Sequence, residues 1–323
     1  MRTTATIVGL AIACLGISTV APIYYLYLAN MLLIYAVLAL GVDVLMGLSG
    51  QFAFSHMAFF GIGCYATALL NLDLGIPFLL ALPIAVVMTA VVGVLVGFAA
   101  IRLNTIYLAL ATFAFAEGMR WIFNDWTSLT GGANGLRILP MFAFGIEITS
   151  DRQAFPLTLA FAVVVLLATL MLHGSRFGRE LVAVRESEHV SMASGINVRR
   201  TKISAFVVSA VYAGLAGGLY TLNHSFVSPP EFGFNGAVLI LTMIVVGGMG
   251  TVPGVLLGVL IFGLLPTILQ STLRSVLIWQ EFIYGAILTA SVLLMPRGIW
   301  GAFKSLRGFR LRAGSRLGQG MRP

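Results

Sequence analysis

Asp43 and Glu117 are the side chains with the most conspicuous chemistry, because both carboxylates fall inside long apolar runs. An acid held in lipid is costly, and it marks a proton relay, a coupling group or an ion pair. Glu117 precedes Arg120 by three residues, which puts both on one helical face and predicts local pairing over a relay. Asp43 stands near the end of its run, where its carboxylate is expected to reach the water interface. A second polar interruption follows in GLSGQFAFSHMAFFGIGCYATALL, residues 47–70. A break with polar side chains survives at membrane depth only where protein or a water-filled path shields it. Gln51 and Ser55 therefore suit a pore lining near a subunit interface, with plain close packing as the competing reading. Gly61 and Gly63, with Ala66, Thr67 and Ala68, read as a close helix contact.

Other chemistry is missing. No G-x-x-x-x-G-K-[ST] phosphate loop occurs, and neither of the two lysines, Lys202 and Lys304, follows a glycine. The chain is thus not expected to hydrolyse ATP by that route. H-E-x-x-H and G-x-S-x-G are absent, and His56, His173, His189 and His224 are scattered without obvious carboxylate partners. Cys14 and Cys64 lie in apolar runs with neither metal-ligand spacing nor disulfide logic. Both are expected to be small buried residues, and no metal site is expected.

The elements that must position these residues are membrane spans. Of the 323 residues, 59% are hydrophobic and only 9% are charged, too few to cover a soluble fold. A bilayer core of roughly 30 Å needs about 20 mostly apolar residues per helix. The chain offers such runs at 5–21, 23–46, 52–70, 77–100, 105–123, 156–173, 202–222, 236–250, 252–270 and 275–295. An all-α polytopic protein of about ten transmembrane helices is predicted, with the run at 236–250 only marginally long enough. The first run resembles a signal peptide, but Pro22 at the plausible cleavage point argues for retention.

Charge supplies the orientation. The net charge is +8, and fifteen of the nineteen basic residues fall on one side of the ten-span arrangement. They include Arg2, Arg102, six residues from Arg176 to Lys202, and seven from Arg297 to Arg322. Basic residues remain on the cytoplasmic face. Both termini are therefore expected in the cytoplasm, with a transmembrane domain over 1–300 and a basic cytoplasmic tail over 301–323. The tail reads as an anchor on lipid headgroups and not as a nucleic-acid site. Loop 124–155 is expected to face outward, and loop 174–201 inward.

Loop 174–201 reads GSRFGRELVAVRESEHVSMASGINVRRT. It is too polar for lipid and too short for a domain. Glu180 to Ser194 is helix-compatible, and Gly195 fits a helix stop. The pattern suits a helix presented to the groove of a partner protein. In the outer loop, Thr130, Gly131, Gly132, Asn134 and Gly135 lie in a glycine-turn segment that suits an external partner, although a surface hairpin with no special role fits equally. VGGMGTVPG, residues 246–254, forms a tight turn between two spans. Its likeness to Gly47-x-x-Gly50 is too slight to establish a repeat, although an inverted repeat is allowed.

Together these segments resemble the branched-chain amino-acid ABC permeases of the LivM/LivH type, and the M-type subunit most closely. The likeness rests on 47–70, IRLNTIYLALATFAFAEGMR (101–120), SLTGGANGL (128–136), residues 175–220, FVSPPEFGF (226–234), VVGGMGTVPG (245–254) and MPRGIW (295–300). The resemblance implies a type II-like importer permease in the bacterial inner membrane. It implies a second, LivH-like permease, two separate ATP-binding subunits that carry the ATP and Mg, and a periplasmic solute-binding protein. This chain would then hold no cofactor of its own. The coupling helix of such permeases maps onto Glu186 to Gly195, so Arg185, Glu186, Glu188, Ser191, Ala193 and Gly195 are expected to meet the ATPase. Gln51, Ser55, Thr112 and Glu117 are expected to give polar company to a zwitterion in transit. A urea or short-amide permease is the neighbouring reading, and an ion-coupled carrier using Asp43 and Glu117 is the more distant one.

Overall fold

A computed structural model describes residues 21–143, 145–272, 280–294 and 298–304, together with Ile7, Gly9, Cys14 to Gly16 and Ser18. The expected span at 5–21 and the tail beyond residue 304 therefore lie largely or wholly outside the described residues.

Six described helices are long and apolar enough to cross a membrane. They are α1 (Ile23–Asp43), which continues into a π-turn over Val44–Leu48, α2 (His56–Leu74), α3 (Phe78–Ala100), α4 (Thr105–Asp125), α6 (Asp151–Gly174) and α9 (Val198–Tyr220). A four-residue helix, α5 (Thr127–Thr130), follows α4. Two polar helices, α7 (Arg176–Glu186) and α8 (Glu188–Ala193), join α6 to α9. The apolar helices α10 (Phe234–Gly247), α11 (Val252–Thr272) and α12 (Gln280–Leu294) complete the described set. The expected runs at 236–250 and 275–295 fall on α10 and α12. At about 1.5 Å per residue, the 14 residues of α10 reach roughly 21 Å, short of a full crossing.

The core centres on α1, α2 and α9. Small residues let the backbones approach closely, which is how membrane helices gain packing energy without a hydrophobic driving force. On α3, Ala81, Ala85, Thr89, Gly93, Gly97 and Ala100 form one buried stripe, and Gly93 and Gly97 rest on Ala210, Phe206 and Ile203 of α9. Gly63 of α2 lies on the backbone of Gly214, and Gly217 lies on the carbonyl of Phe60, so neither position has room for a Cβ. The outer faces of α3 and α4 remain apolar, with Leu80, Val87, Leu95, Ile106, Tyr107 and Leu110 exposed, as a lipid-facing surface requires.

Four corrections to the sequence reading follow. The chain is not purely α-helical, because Leu136–Arg137 (β1) pairs antiparallel with Phe226–Val227 (β4), and Met141–Ala143 (β2) pairs with Ile146–Ile148 (β3). These ladders satisfy backbone groups that no helix covers. The helix expected from Glu180 to Ser194 is broken at Ser187, whose backbone is extended (φ −163°, ψ 117°). Asp43 does not reach the interface but is fully buried. Cys14 is exposed, whereas Cys64 is buried as expected.

Candidate functional site

The α7–α8 bend is an elbow fixed by its own capping side chains. Ser175 Oγ accepts from Gly178 N at 3.0 Å, and Ser187 Oγ accepts from Val190 N at 3.4 Å. Asn197 Oδ1 accepts from Arg200 N at 3.0 Å and opens α9 four residues before the expected start at residue 202. Each bond satisfies an amide that the first helical turn leaves open. Gly195 ends α8 at φ +80°, with Ile196 N donating to Ser191 O and Gly195 N to Met192 O, both at 3.0 Å. That pair of bonds is a Schellman stop, as the glycine suggested. Leu181 and Val184 face the core, while Val190 and Met192 stand exposed on an otherwise polar element.

Arg185 joins this elbow to the membrane helices. Its Nη1 donates to the Gly47 carbonyl at 2.6 Å, and its Nη2 donates to Glu186 Oε1 at 2.8 Å. Its aliphatic stem lies where a side chain on Gly50 would sit, and Gly50 itself has φ +70°. Gly47 in turn lies against the backbone of Gly250 in the α10–α11 turn. Asp43 Oδ1 accepts from Gly250 N at 2.6 Å, and its Oδ2 has no partner. The two glycine turns thus cross, with Asp43 beneath them and Arg185 above. The π-turn at 44–48 makes this possible, since Ser49 N reaches back five residues to Val44 O at 3.2 Å.

Of the residues expected at a partner surface, Arg185, Glu186, Glu188, Ala193 and Gly195 are exposed on the elbow, whereas Ser191 is buried. Glu188 Oε1 lies 2.5 Å from Lys202 Nζ. Of the residues expected along a path, Gln51, Ser55 and Thr112 belong to one neighbourhood. Thr112 Oγ1 accepts from Phe54 N at 3.0 Å and donates to Leu108 O at 2.8 Å, which ties the 51–55 segment to α4. Gln51 Nε2 donates to Ser49 Oγ at 2.8 Å, while Gln51 Oε1 and Ser55 Oγ are buried without partners. Glu117 stands apart, more than one turn along α4, in the predicted pair with Arg120 at 2.7 Å.

At the opposite end of the bundle, the glycine-rich loop packs into a platform. Thr130 is buried, and its Oγ1 donates to Phe123 O at 2.6 Å and accepts from Gly132 N at 3.3 Å. Gly131, Gly132 and Gly135 all have positive φ, and Asn134 is exposed between them. Next to this platform, the His224 ring stacks on Tyr220 with centroids 3.7 Å apart, and burial pushes its pKa down to about 4. Tyr220 OH donates to Glu231 Oε2 at 3.0 Å. Sequence reasoning missed both the Arg185 clamp and this Tyr–His–Glu cluster.

No group of three or more His, Cys, Asp or Glu able to hold a metal occurs among the described residues. No solved structure matches the chain. The family described as "Branched-chain amino acid transport system / permease component" matches residues 24–292. The chain belongs to that permease family. It is 32% identical over 296 residues to the high-affinity branched-chain amino acid transport system permease protein LivM of Escherichia coli K12, covering 84% of this chain and 69% of LivM. It is 26% identical over 285 residues to LivH of the same strain, covering 83% and 91%. The ribose import permease RbsC of Bacillus subtilis is 29% identical over 192 residues, covering 57% of each. The elbow, the crossed glycine turns and the platform all lie inside the matched region.

Proposed function

We propose that this chain is one of two permease subunits of an ATP-binding cassette importer for branched-chain amino acids in the bacterial inner membrane. The observation that carries the reading is the elbow, a polar surface element clamped through Arg185 to the turns after α1 and α10. A partner that moves the elbow would move both turns with it. The similarity to LivM and LivH supports the substrate class and a second, LivH-like permease. The ribose permease shares a shorter stretch, which favours amino acids over sugars.

In this reading the elbow end faces the cytoplasm. It carries Arg102, Arg176, Arg179, Arg185, Arg199, Arg200 and Lys202, against Arg137 and Arg152 at the platform end. About ten spans leave both termini on that side. Two separate subunits bind ATP and Mg and grip Val190, Met192 and the elbow acids. A periplasmic binding protein delivers solute at the Thr130–Gly135 platform. Nucleotide binding then biases the inward-open and outward-open states through differential contacts at the elbow. Gln51, Ser55, Thr112 and Glu117 give the zwitterion polar company across the bilayer. The test is reconstitution with all four partners. ATP-dependent leucine accumulation is expected, with loss of uptake in Gln51→Ala and Thr112→Val at normal expression. Accumulation by this chain alone, without any ATPase, would refute the reading.

A further inference from the structure

A cavity opens at the elbow end, beside the surface assigned to the ATPases, and its wall includes Gln51. It has a volume of about 480 Å³, and three turns line it: 49–51 after α1, 101–105 between α3 and α4, and 184–188 at the bend. Lys202 of α9 closes the remaining side. Its side chain is only 12% exposed and is paired with Glu188. Arg102 makes no ion pair with a described residue and stands exposed at the rim. Gln51, on the wall, is 5% exposed and keeps a carbonyl oxygen with no partner. Leu103 and Leu108 add an aliphatic patch.

Charges of both signs converge here. A simple anion would meet Glu186 and Glu188, and a simple cation would meet Arg102 and Arg185. Like charges in such a site cost binding energy, so a ligand carrying both signs is the better match. A guanidinium suits a carboxylate through two parallel N–H bonds. Glu188, which the ligand would share with Lys202, and the spare Gln51 acceptor suit an ammonium, and the leucines suit a small aliphatic side chain.

We propose that this cavity binds a free aliphatic α-amino acid on the elbow side of the membrane, and that occupancy slows the ATP-driven cycle. The inference rests on the importer reading above. A ligand held between Arg102 and Glu188 ties the elbow to the α3–α4 turn. It therefore stabilises one elbow position over the other, which is all that coupling between two sites requires.

The experiment uses the complete transporter in vesicles with the elbow side facing the lumen. The ATPase rate is read as the ratio of leucine-loaded to empty vesicles. Trapped leucine is expected to lower the rate at least about fivefold, the lower end of typical coupling. Trapped isocaproate, which lacks the ammonium, and isoamylamine, which lacks the carboxylate, are expected to leave the ratio near one. Arg102→Gln is expected to return the leucine ratio to near one. An unchanged rate with trapped leucine, equal inhibition by either single-charge analogue, or full inhibition of Arg102→Gln overturns the proposal. Empty wild-type vesicles that fail to import solute refute the importer reading instead. In that case, equilibrium binding of radiolabelled leucine to the purified complex still decides the cavity, with at least a fivefold loss expected in Arg102→Gln and equal binding overturning it.

Discussion

Arg185→Ala removes the hydrogen bond to Gly47, the stem packed at Gly50 and the pair with Glu186, and leaves the capping bonds of the elbow intact. The lost bond is charge-assisted, short at 2.6 Å, and made to a backbone carbonyl. Hydrogen bonds to charged groups contribute about 1.5–3 kcal/mol. The Arg185 side chain is 37% exposed, so solvent screening reduces that to about 1–2 kcal/mol. A change of that size alters a two-state ratio by about 5- to 30-fold. Leu181 and Val184 still anchor α7, so the chain is expected to fold and to assemble with the ATPases. The elbow would then move without carrying Gly47 and Gly250. The assay is leucine imported per ATP hydrolysed in reconstituted vesicles, with thermal unfolding followed in parallel. The transport-to-hydrolysis ratio is expected to fall at least fivefold while hydrolysis persists, with partial recovery in Arg185→Lys. An unchanged ratio at unchanged stability would refute the clamp as the transmitting contact.

Three further outcomes are expected. Asp43→Asn keeps an acceptor for Gly250 N and should preserve the fold, whereas Asp43→Leu leaves that amide unpaired and should cost about 1–3 kcal/mol in thermal unfolding. Gly217→Ala forces a Cβ against the Phe60 carbonyl and should destabilise the protein by about 1–3 kcal/mol, while Gly118→Ala, with open space around it, should be neutral or slightly stabilising. His224 is held neutral by burial, with its pKa lowered from 6.5 to about 4. The unfolded chain therefore takes up this proton first, and the His224 contribution is complete above about pH 6.5 and declines as pH falls toward 4. His224→Phe should flatten the melting temperature across that interval, and an unchanged slope would remove His224 as its cause.

The parts legible in the sequence were those with one dominant cause. Continuous apolar runs placed five of the six long helices within a few residues of their observed positions. The sixth, α6, begins at Asp151 and not at 156, because Ser150 and Asp151 open the helix and Pro156 is tolerated inside it. Glu117 and Arg120 paired as their spacing required, and Gly195 stopped its helix. The break at Ser187 was readable in principle, since a serine followed by an acid is a good helix start, but the apolar spacing on either side masked it. The β1–β4 ladder was not readable, because its two strands are two residues each and about 90 positions apart. The same is true of the Arg185 clamp. Nothing local distinguishes this arginine from its neighbours, and its acceptor is a backbone carbonyl 138 residues away.

The glycine contacts among α2, α3 and α9 carry a consequence for how the subunit can move. Where backbone rests on backbone, no side chain is available to change rotamer and absorb a displacement. A push delivered at one end of these helices must reach the other as rotation of a single stiff block. Any bending has to occur at the π-turn and at the glycine turn after α10, where the regular hydrogen-bond ladder is interrupted.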